Sequence, residues 1–291
     1  MSQTAKRLRE LIAAPAIVAA PGCYDGLTAR LAEQAGFPTI YMTGAGVSAG
    51  AGFPDFGLLT QTEMTTAAGV LTRSVSAPVI ADADTGYGNE LNVTRTVREY
   101  ERVGVAAIHI EDQVSPKRCG HLDGKEVIAK AEYLSKIQAA VAARRDPDFV
   151  LIARTDARAT LEFDEAIDRA NGALACGADM VFVEAPRSIE EMAAIPKRVN
   201  GPCLLNIVPG GRTPAISLAD AQAMGFRLAI LPGMLLIPVL TAVDEALNRL
   251  RETGMPDAGP PGTGVMSLFG RVGADEWNAL RRQFVDPADA G

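Results

Sequence analysis

At 291 residues, 48% hydrophobic and 22% charged, the chain has ample apolar material for a globular core. Its net charge of −7 disfavours generic phosphate-backbone binding, and no basic stripe offsets it, so no nucleic-acid partner is expected. No run approaches the ~18–20 apolar residues of a membrane-spanning helix, and four scattered cysteines without a CxxC pair fit reduced thiols in a cytoplasmic protein.

In chain order, the basic stretch around Lys6, Arg7 and Arg9 predicts a short surface helix. It is not read as a secretory leader, because Pro15, Pro21 and Gly22 interrupt the apolar residues that follow. Eight short apolar runs then predict strands: 16–20, 39–42, 79–81, 106–110, 149–153, 180–183, 203–205 and 228–231. Helical stretches lie between them. One runs from Asn89, a candidate N-cap, to Arg102; others run from Phe163 to Cys176, before Gly177, and from Ser217 to Met224, before Gly225. Strands alternating with helices favour an α/β fold, a (β/α)8 TIM-type barrel, over a doubly wound open sheet. Length alone is compatible with two domains, but barrels of about 250 residues fold as one. The expected division is 1–253 for the barrel and 254–291 for a tail. In that tail, Gly254–Gly264 reads as a Pro/Gly linker and Ala274–Phe284, with the single Trp277, as an amphipathic helix for a partner surface.

Barrel chemistry sits where strands end. The residues there are Tyr24 and Asp25, Thr43 and Gly44, Asp82 and Asp84, Glu111 and Asp112, Arg154 and Asp156, Glu184, and Asn206. Strand alternation would place Asp82 and Asp84 on one side. With Glu111 they form an oxygen-rich set suited to Mg²⁺ or Mn²⁺, whereas zinc is disfavoured in a chain with two histidines. The loop Glu111-Asp112-Gln113-Val114-Ser115-Pro116-Lys117-Arg118-Cys119-Gly120-His121 sets Cys119 after two cations, which favour a thiol able to exchange protons near neutrality. Gly120 and Gly124 give residues 113–124 the freedom of a lid. Cys176 and Cys203 read as small buried hydrophobes, and His109 as a hydrogen-bonded core histidine. Arg154 offers a carboxylate clamp or an internal ion pair with Glu184 or Asp156. The glycines from Gly44 to Gly50 resemble a dinucleotide fingerprint, but they follow the second strand unit, no clean helix is expected to start at them, and no acid ends a strand about 20 residues on. An anion cradle built on the Thr43 hydroxyl is the preferred use.

These residues resemble the isocitrate lyase/phosphoenolpyruvate mutase superfamily. The matching pieces are Tyr24–Ala29, Thr43-Gly44, Phe53-Pro54-Asp55, Asp82-Ala83-Asp84-Thr85-Gly86-Tyr87-Gly88, Ile110–Gln113, Lys117-Arg118-Cys119-Gly120-His121, Ala153–Asp156 and Gly210–Pro214, spread from Pro21 to Pro232. The Cys119 segment is specific to the carbon–carbon lyase branch, the 2,3-dimethylmalate and 2-methylisocitrate lyase type. The resemblance implies a barrel whose last helix is exchanged between subunits, usually in a homotetramer. It implies Mg²⁺ near Asp82 and Asp84, with Asp55 and Glu111 holding its waters. It further implies contacts to a small di- or tricarboxylate substrate from Thr43, Gly44, Ala45, Cys119, Gly120, His121, Arg154, Glu184 and Asn206, with Cys119 as proton donor.

Methylisocitrate lyases typically carry Ser-Gly-Gly at positions 43–45 and an extra Arg within 233–237; this chain has Thr-Gly-Ala and no cation there. A third carboxylate would lose its partner. The expectation is therefore Mg-dependent cleavage of a substituted malate to a 2-oxo acid such as pyruvate plus a carboxylate. The alternatives are 2-methylisocitrate cleavage to pyruvate and succinate, or oxaloacetate hydrolase/decarboxylase or phosphonate mutase chemistry of the same superfamily. Tyr41, Glu184 and a hydroxide on the metal are candidate bases.

Overall fold

The alternation of apolar runs and amphipathic stretches builds a closed parallel barrel. The computed structural model describes residues 2–120, 124–211, 213–256, 259–260 and 262–284. Its strands are β1 (Val18–Cys23), β2 (Ile40–Met42), β3 (Val79–Asp82), β4 (Ala107–Glu111), β5 (Val150–Thr155), β6 (Met180–Val183), β7 (Cys203–Asn206) and β8 (Leu228–Leu231). Each pairs with the next and β8 closes onto β1. The helices are α1 (Gln3–Ala13), α2 (Gly26–Gln34), α3 (Gly44–Gly50), α4 (Gln61–Ser74), α5 (Glu90–Arg102), α6 (Lys130–Ala143), α7 (Ala157–Thr160), α8 (Phe163–Ala175), α9 (Ile189–Arg198), α10 (Leu218–Met224), α11 (Leu236–Thr253), α12 (Val265–Arg271) and α13 (Ala274–Arg282). The described residues form two compact units, 1–236 and 237–291. No described helix is long and apolar enough to cross a membrane.

Local chemistry sets the helix ends. Asn89 accepts from the amides of Leu91 and Asn92 and starts α5. Ser217 and Asp220 form a capping box at α10, which ends on left-handed Gly225. One expectation fails here: a helix does start at the glycines after β2. Thr43 caps α3, its hydroxyl accepting from the Gly46 amide at 3.3 Å. Thr43 thus spends that hydroxyl on its own helix.

Side-chain alternation then divides each strand. One parity faces the helices: Val79 and Ala81, Ile108 and Ile110, Leu151 and Ala153, Val181 and Val183 all pack in the outer clusters. The other parity fills the barrel with Ile80, Ala107, Ile152, Met180, Phe182, Leu204, Leu228 and Ile230. Ala5 and Leu8 of α1 join this inner cluster, so α1 plugs the end where the strands begin. Arg9 fastens the plug, donating to Asp148 O at 2.8 Å and pairing with Asp179 at 2.9 Å. Along the same inner parity β3 to β7 turn polar at or beside their last residue: Asp82, Glu111, Arg154, Glu184 and Asn206. Thus the fold gathers the polar groups at the opposite end.

In the second unit α11 carries Leu240, Val243, Leu247 and Leu250 as an exposed stripe at three- and four-residue spacing. Trp277, Leu280 and Phe284, in and just beyond α13, are also exposed.

Candidate active site

A pocket at the strand C-termini is lined by Tyr41, Thr43, Ala45, Asp55, Asp82, Cys119, Gly120, Arg154, Phe182, Glu184, Asn206, Ile230 and Pro232. Ten of the residues singled out from sequence therefore meet at one cavity. Gly44 stands directly against the Asp82 carboxylate and leaves no space for a side chain. Asp84 and Glu111 are buried beside the pocket. His121 lies outside the described residues.

One arginine–acid group and one tyrosine–histidine pair organise the floor. Arg154 grips Asp156 with two nitrogens, at 2.8 and 3.2 Å, and reaches Glu111 at 3.0 Å. Its guanidinium also lies 5.0 Å from the centre of the Phe182 ring. Of the two internal pairs expected for Arg154, only that with Asp156 is a direct salt bridge; Glu184 instead accepts from Asn206 Nδ2 at 3.2 and 3.3 Å. The Tyr41 hydroxyl is 2.9 Å from His109 Nε2 and donates to Asp82 at 3.5 Å. Burial lowers the His109 pKa to about 4, so its ring is neutral at pH 7. Burial, followed by the Asp82 charge, pushes the Tyr41 hydroxyl well above its usual range. Tyr41 is accordingly a hydrogen-bond donor.

The acids do not lie where strand alternation would put them. Asp84 is beyond the end of β3 in the left-handed region, φ 47°, and its amide donates to Asp82 Oδ1 at 2.9 Å. It is a turn, not a pleat, that brings the two carboxylates near each other. Among the described residues no three acidic, histidine or cysteine side chains converge as metal ligands. Instead Lys117 enters the acid cluster. Its ammonium pairs with Asp55 and, at 2.9 Å, with Asp84. The charge expected to act on Cys119 is therefore engaged elsewhere.

The cluster remains short of positive charge. Five carboxyl groups, Asp55, Asp82, Asp84, Glu111 and Asp156, are served by three cations, Lys117, Arg154 and Lys125. Glu111 Oε1 is buried without a hydrogen-bond partner among the described residues. Burial and the like charges of Asp82 and Asp55 push Asp84 up to about 6, against the pull of Lys117. Glu111 is raised well above the carboxylate range by burial, against the pull of Arg154. Burial opposes ionisation of Asp82 as well, but His109, charged at the low pH where Asp82 titrates, and then Lys117 and Arg154 hold it low, at about 2. Hard oxygen donors, a buried Glu111 oxygen without a hydrogen-bond partner among the described residues and more carboxyl groups than cations fit a divalent cation such as Mg²⁺.

The Cys119 segment is anchored on both sides. Gln113, 2% exposed, clamps the Arg118 backbone, accepting from its amide at 2.9 Å and donating to its carbonyl at 2.8 Å. The Cys119 amide donates to Asp55 O at 3.1 Å. Lys125 bonds Gly120 O and pairs with Asp156 at 3.1 Å. At Gly120 any side chain would collide with the Glu184 carboxylate. All four cysteines are outside disulfides. Cys23 and Cys203 are buried, and burial raises each thiol to about 12; Cys176, expected to be buried, caps α8 half-buried.

The sequence reading took Lys117 only as a charge beside Cys119 and gave Lys125 and Gln113 no structural role, since loop cations and amides carry no periodic signal. Phe182 could have been found, since it sits two residues before Glu184 on the inner face of β6.

The family model described as phosphoenolpyruvate phosphomutase matches residues 8–251. The chain is 49% identical over 230 residues to a 2,3-dimethylmalate lyase of Eubacterium barkeri, covering 79% of this chain and 80% of that one. It is 44% identical over 247 residues to a 2-methylisocitrate lyase of Aeropyrum pernix, covering 85% and 80%. A crystal structure of a 2,3-dimethylmalate lyase, described as a PEP mutase/isocitrate lyase superfamily member, superposes with a TM-score of 0.94 at 42% identity, covering 100% and 99%.

Proposed function

The chain belongs to the phosphoenolpyruvate mutase/isocitrate lyase superfamily, and on that premise we propose that it is a carbon–carbon lyase cleaving a substituted 2-hydroxy dicarboxylate. A malate of the 2,3-dimethylmalate type is the substrate class, with pyruvate and propionate as products. The observation that carries this reading is the meeting of Cys119 with Asp82, Arg154 and Glu184 around one pocket. The wall of Phe182, Ile230, Pro232 and Ala45 suits small alkyl substituents. Among the described residues Arg154 is the one cation lining the pocket, which favours two carboxylates over three.

Asp82 and Asp84 would hold Mg²⁺ (Mn²⁺ by the same chemistry), with Asp55 and Glu111 holding its waters. When bound, the ion lowers the pKa of the 2-hydroxyl and polarises the forming carbonyl. Arg154 and Asn206 receive a carboxylate, and the Tyr41 hydroxyl, oriented by His109, donates toward the reacting end. Glu184 takes the hydroxyl proton; Tyr41, held protonated by burial, is unsuited to that role. The C2–C3 bond breaks, its electron pair passes to C3, and C2 becomes the carbonyl of pyruvate. The Cys119 thiol gives its proton to C3, and the Glu184 proton restores the thiol after product release. Thr43, Gly44, Ala45 and Gly120 supply the backbone around the carboxylates. Residues 113–124 exclude water while C3 is a carbanion.

In the same reading the exposed apolar residues of α11 and α13 pack against other copies, the helix beyond the 254–264 linker being exchanged within a homotetramer. Four cysteines outside disulfides support a reducing, cytoplasmic setting.

Pyruvate release from 2,3-dimethylmalate, 2-methylisocitrate and oxaloacetate in the presence of Mg²⁺ tests the proposal. Preference for the dimethyl diacid is expected; a higher kcat/KM on the tricarboxylate would overturn the substrate assignment, and no cleavage of any would overturn the reaction.

A further inference from the structure

Asp112 stands one residue beyond Glu111 and so on the opposite face of the sheet. Neither it nor its partner Arg169 lines the pocket. Yet Asp112 is fully buried, and its carboxylate accepts three bonds: from the Thr155 hydroxyl at 2.7 Å, the Asp156 amide at 2.8 Å and Arg169 Nη1 at 3.1 Å. Arg169, buried on α8, is held in turn by Glu165 and by Ile128 O, each at 2.9 Å, and the Ile128 amide bonds Asp112 O at 2.9 Å. Thr155 and Asp156 are the two residues that follow Arg154. Pairing of β4 with β5 stops at Glu111 and Arg154, and the Asp112 carboxylate takes over where it stops, by holding the Asp156 amide. Asp156 begins α7 without capping it by its side chain. Its carboxylate turns inward instead, to Arg154 at 2.8 and 3.2 Å and to Lys125 at 3.1 Å. An unbroken chain of charged groups thus leads from the helix layer, through the barrel wall, to the pocket.

We propose that Asp112, backed by Arg169, is a positioning residue that aims the Arg154 guanidinium at a substrate carboxylate. The inference rests on the lyase reading above, in which Arg154 receives that carboxylate. A guanidinium is planar, so the direction from which Asp156 grips Nε and Nη2 fixes the plane in which the other N–H groups are offered. The place of the Asp156 carboxylate follows its backbone, and that backbone is what Asp112 holds. Arg169 supplies the countercharge that a carboxylate on the outer face of the wall requires. The Thr155 hydroxyl fixes the same carboxylate from the strand itself. The orientation of the clamp is therefore set from outside the pocket, by groups that touch no substrate.

A double-mutant cycle on the full-length protein tests this, read as malonate affinity in the presence of Mg²⁺ by titration calorimetry. Asp112→Asn keeps the shape and an acceptor for the Asp156 amide, but removes the charge that faces Arg169. It should weaken malonate binding about tenfold, with kcat/KM lowered mainly through KM. Arg154→Lys keeps the cation but has no plane to aim. In that background Asp112→Asn should change malonate affinity by less than about twofold. A role in the fold alone would give the same factor in both backgrounds, and that result overturns the inference. Should Asp112→Asn not fold, the Thr155 variants decide. Thr155→Val, which deletes one donor to Asp112, should weaken malonate binding about threefold, and Thr155→Ser should restore it; wild-type affinity in Thr155→Val overturns the inference. Pyruvate release by the wild type, measured on the same preparation, keeps the two readings apart: with cleavage intact, either overturning result leaves the lyase reading standing, whereas a wild type that neither cleaves nor binds malonate overturns both.

Discussion

The two ends of the barrel satisfy their buried charges in opposite ways. Where the strands begin, Asp179 receives Arg9 at 2.9 Å, Arg144 at 2.6 Å and the Leu151 amide at 2.8 Å, so one carboxylate has three donors. Where the strands end, five carboxylates share three cations and Glu111 Oε1 has no hydrogen-bond partner. Saturation at one end holds the α1 plug on the core. Under-saturation at the other comes at a cost in stability, and in the proposed reading a cation and a ligand make it good.

This contrast can be broken at either end, and the largest effects belong to the open one. Cys119→Ser should lower kcat by about 10²–10⁴ while the melting temperature stays unchanged; near-normal turnover would remove the thiol from the reaction. Removal of divalent cations with EDTA should abolish cleavage and Mg²⁺ should restore it. At the plugged end, Leu8→Ala deletes a fully buried side chain and should cost about 2–5 kcal/mol in denaturant unfolding, with kcat/KM per folded molecule preserved.

Asp84→Asn should act in the unusual direction. The buried Asp84 carboxyl has its pKa raised to about 6, so the folded protein favours its neutral form over the unfolded chain. That contribution is present at low pH and is lost as pH rises through about 6. The substitution should therefore stabilise the metal-free protein by about 1–3 kcal/mol at pH 8, with the gain fading below pH 5, and weaken Mn²⁺ binding. Asp179→Asn should give the smallest effect, a loss of about 1–2 kcal/mol, because its partners are partly solvated. A larger loss at Asp84 than at Asp179 would reverse the comparison.

The barrel was legible because its signal is periodic. Each apolar run predicted from sequence overlaps a strand, and β6 and β8 coincide with their runs. The ends of β1, β3, β5 and β7 were underestimated because Pro21-Gly22, Asp82, Arg154 and Asn206 look like turn or loop residues until the inner parity of the sheet explains them. The strand-end acids and Cys119 were legible as residue types. Their arrangement was not, because it depends on turns and long-range pairs. The positive φ of Asp84 and the reach of Lys117 across to Asp55 leave no mark in local spacing. The helix at Gly44 was missed for a related reason: glycine has poor helical propensity, and the cap on Thr43 with burial against Asp82 overrides it.

The single-file change of character along each inner strand face has an evolutionary corollary. Ile80, Ile152, Phe182 and Leu204 carry the cohesion of the interior, while the residue two positions on, Asp82, Arg154, Glu184 or Asn206, carries the chemistry in the proposed reading. A mutation at the polar position leaves the outward neighbours, the register and the helix contacts as they were. Reaction type and scaffold integrity are consequently inherited on separate residues, so descendants of such a chain can trade one carboxylate chemistry for another without passing through an unfolded ancestor.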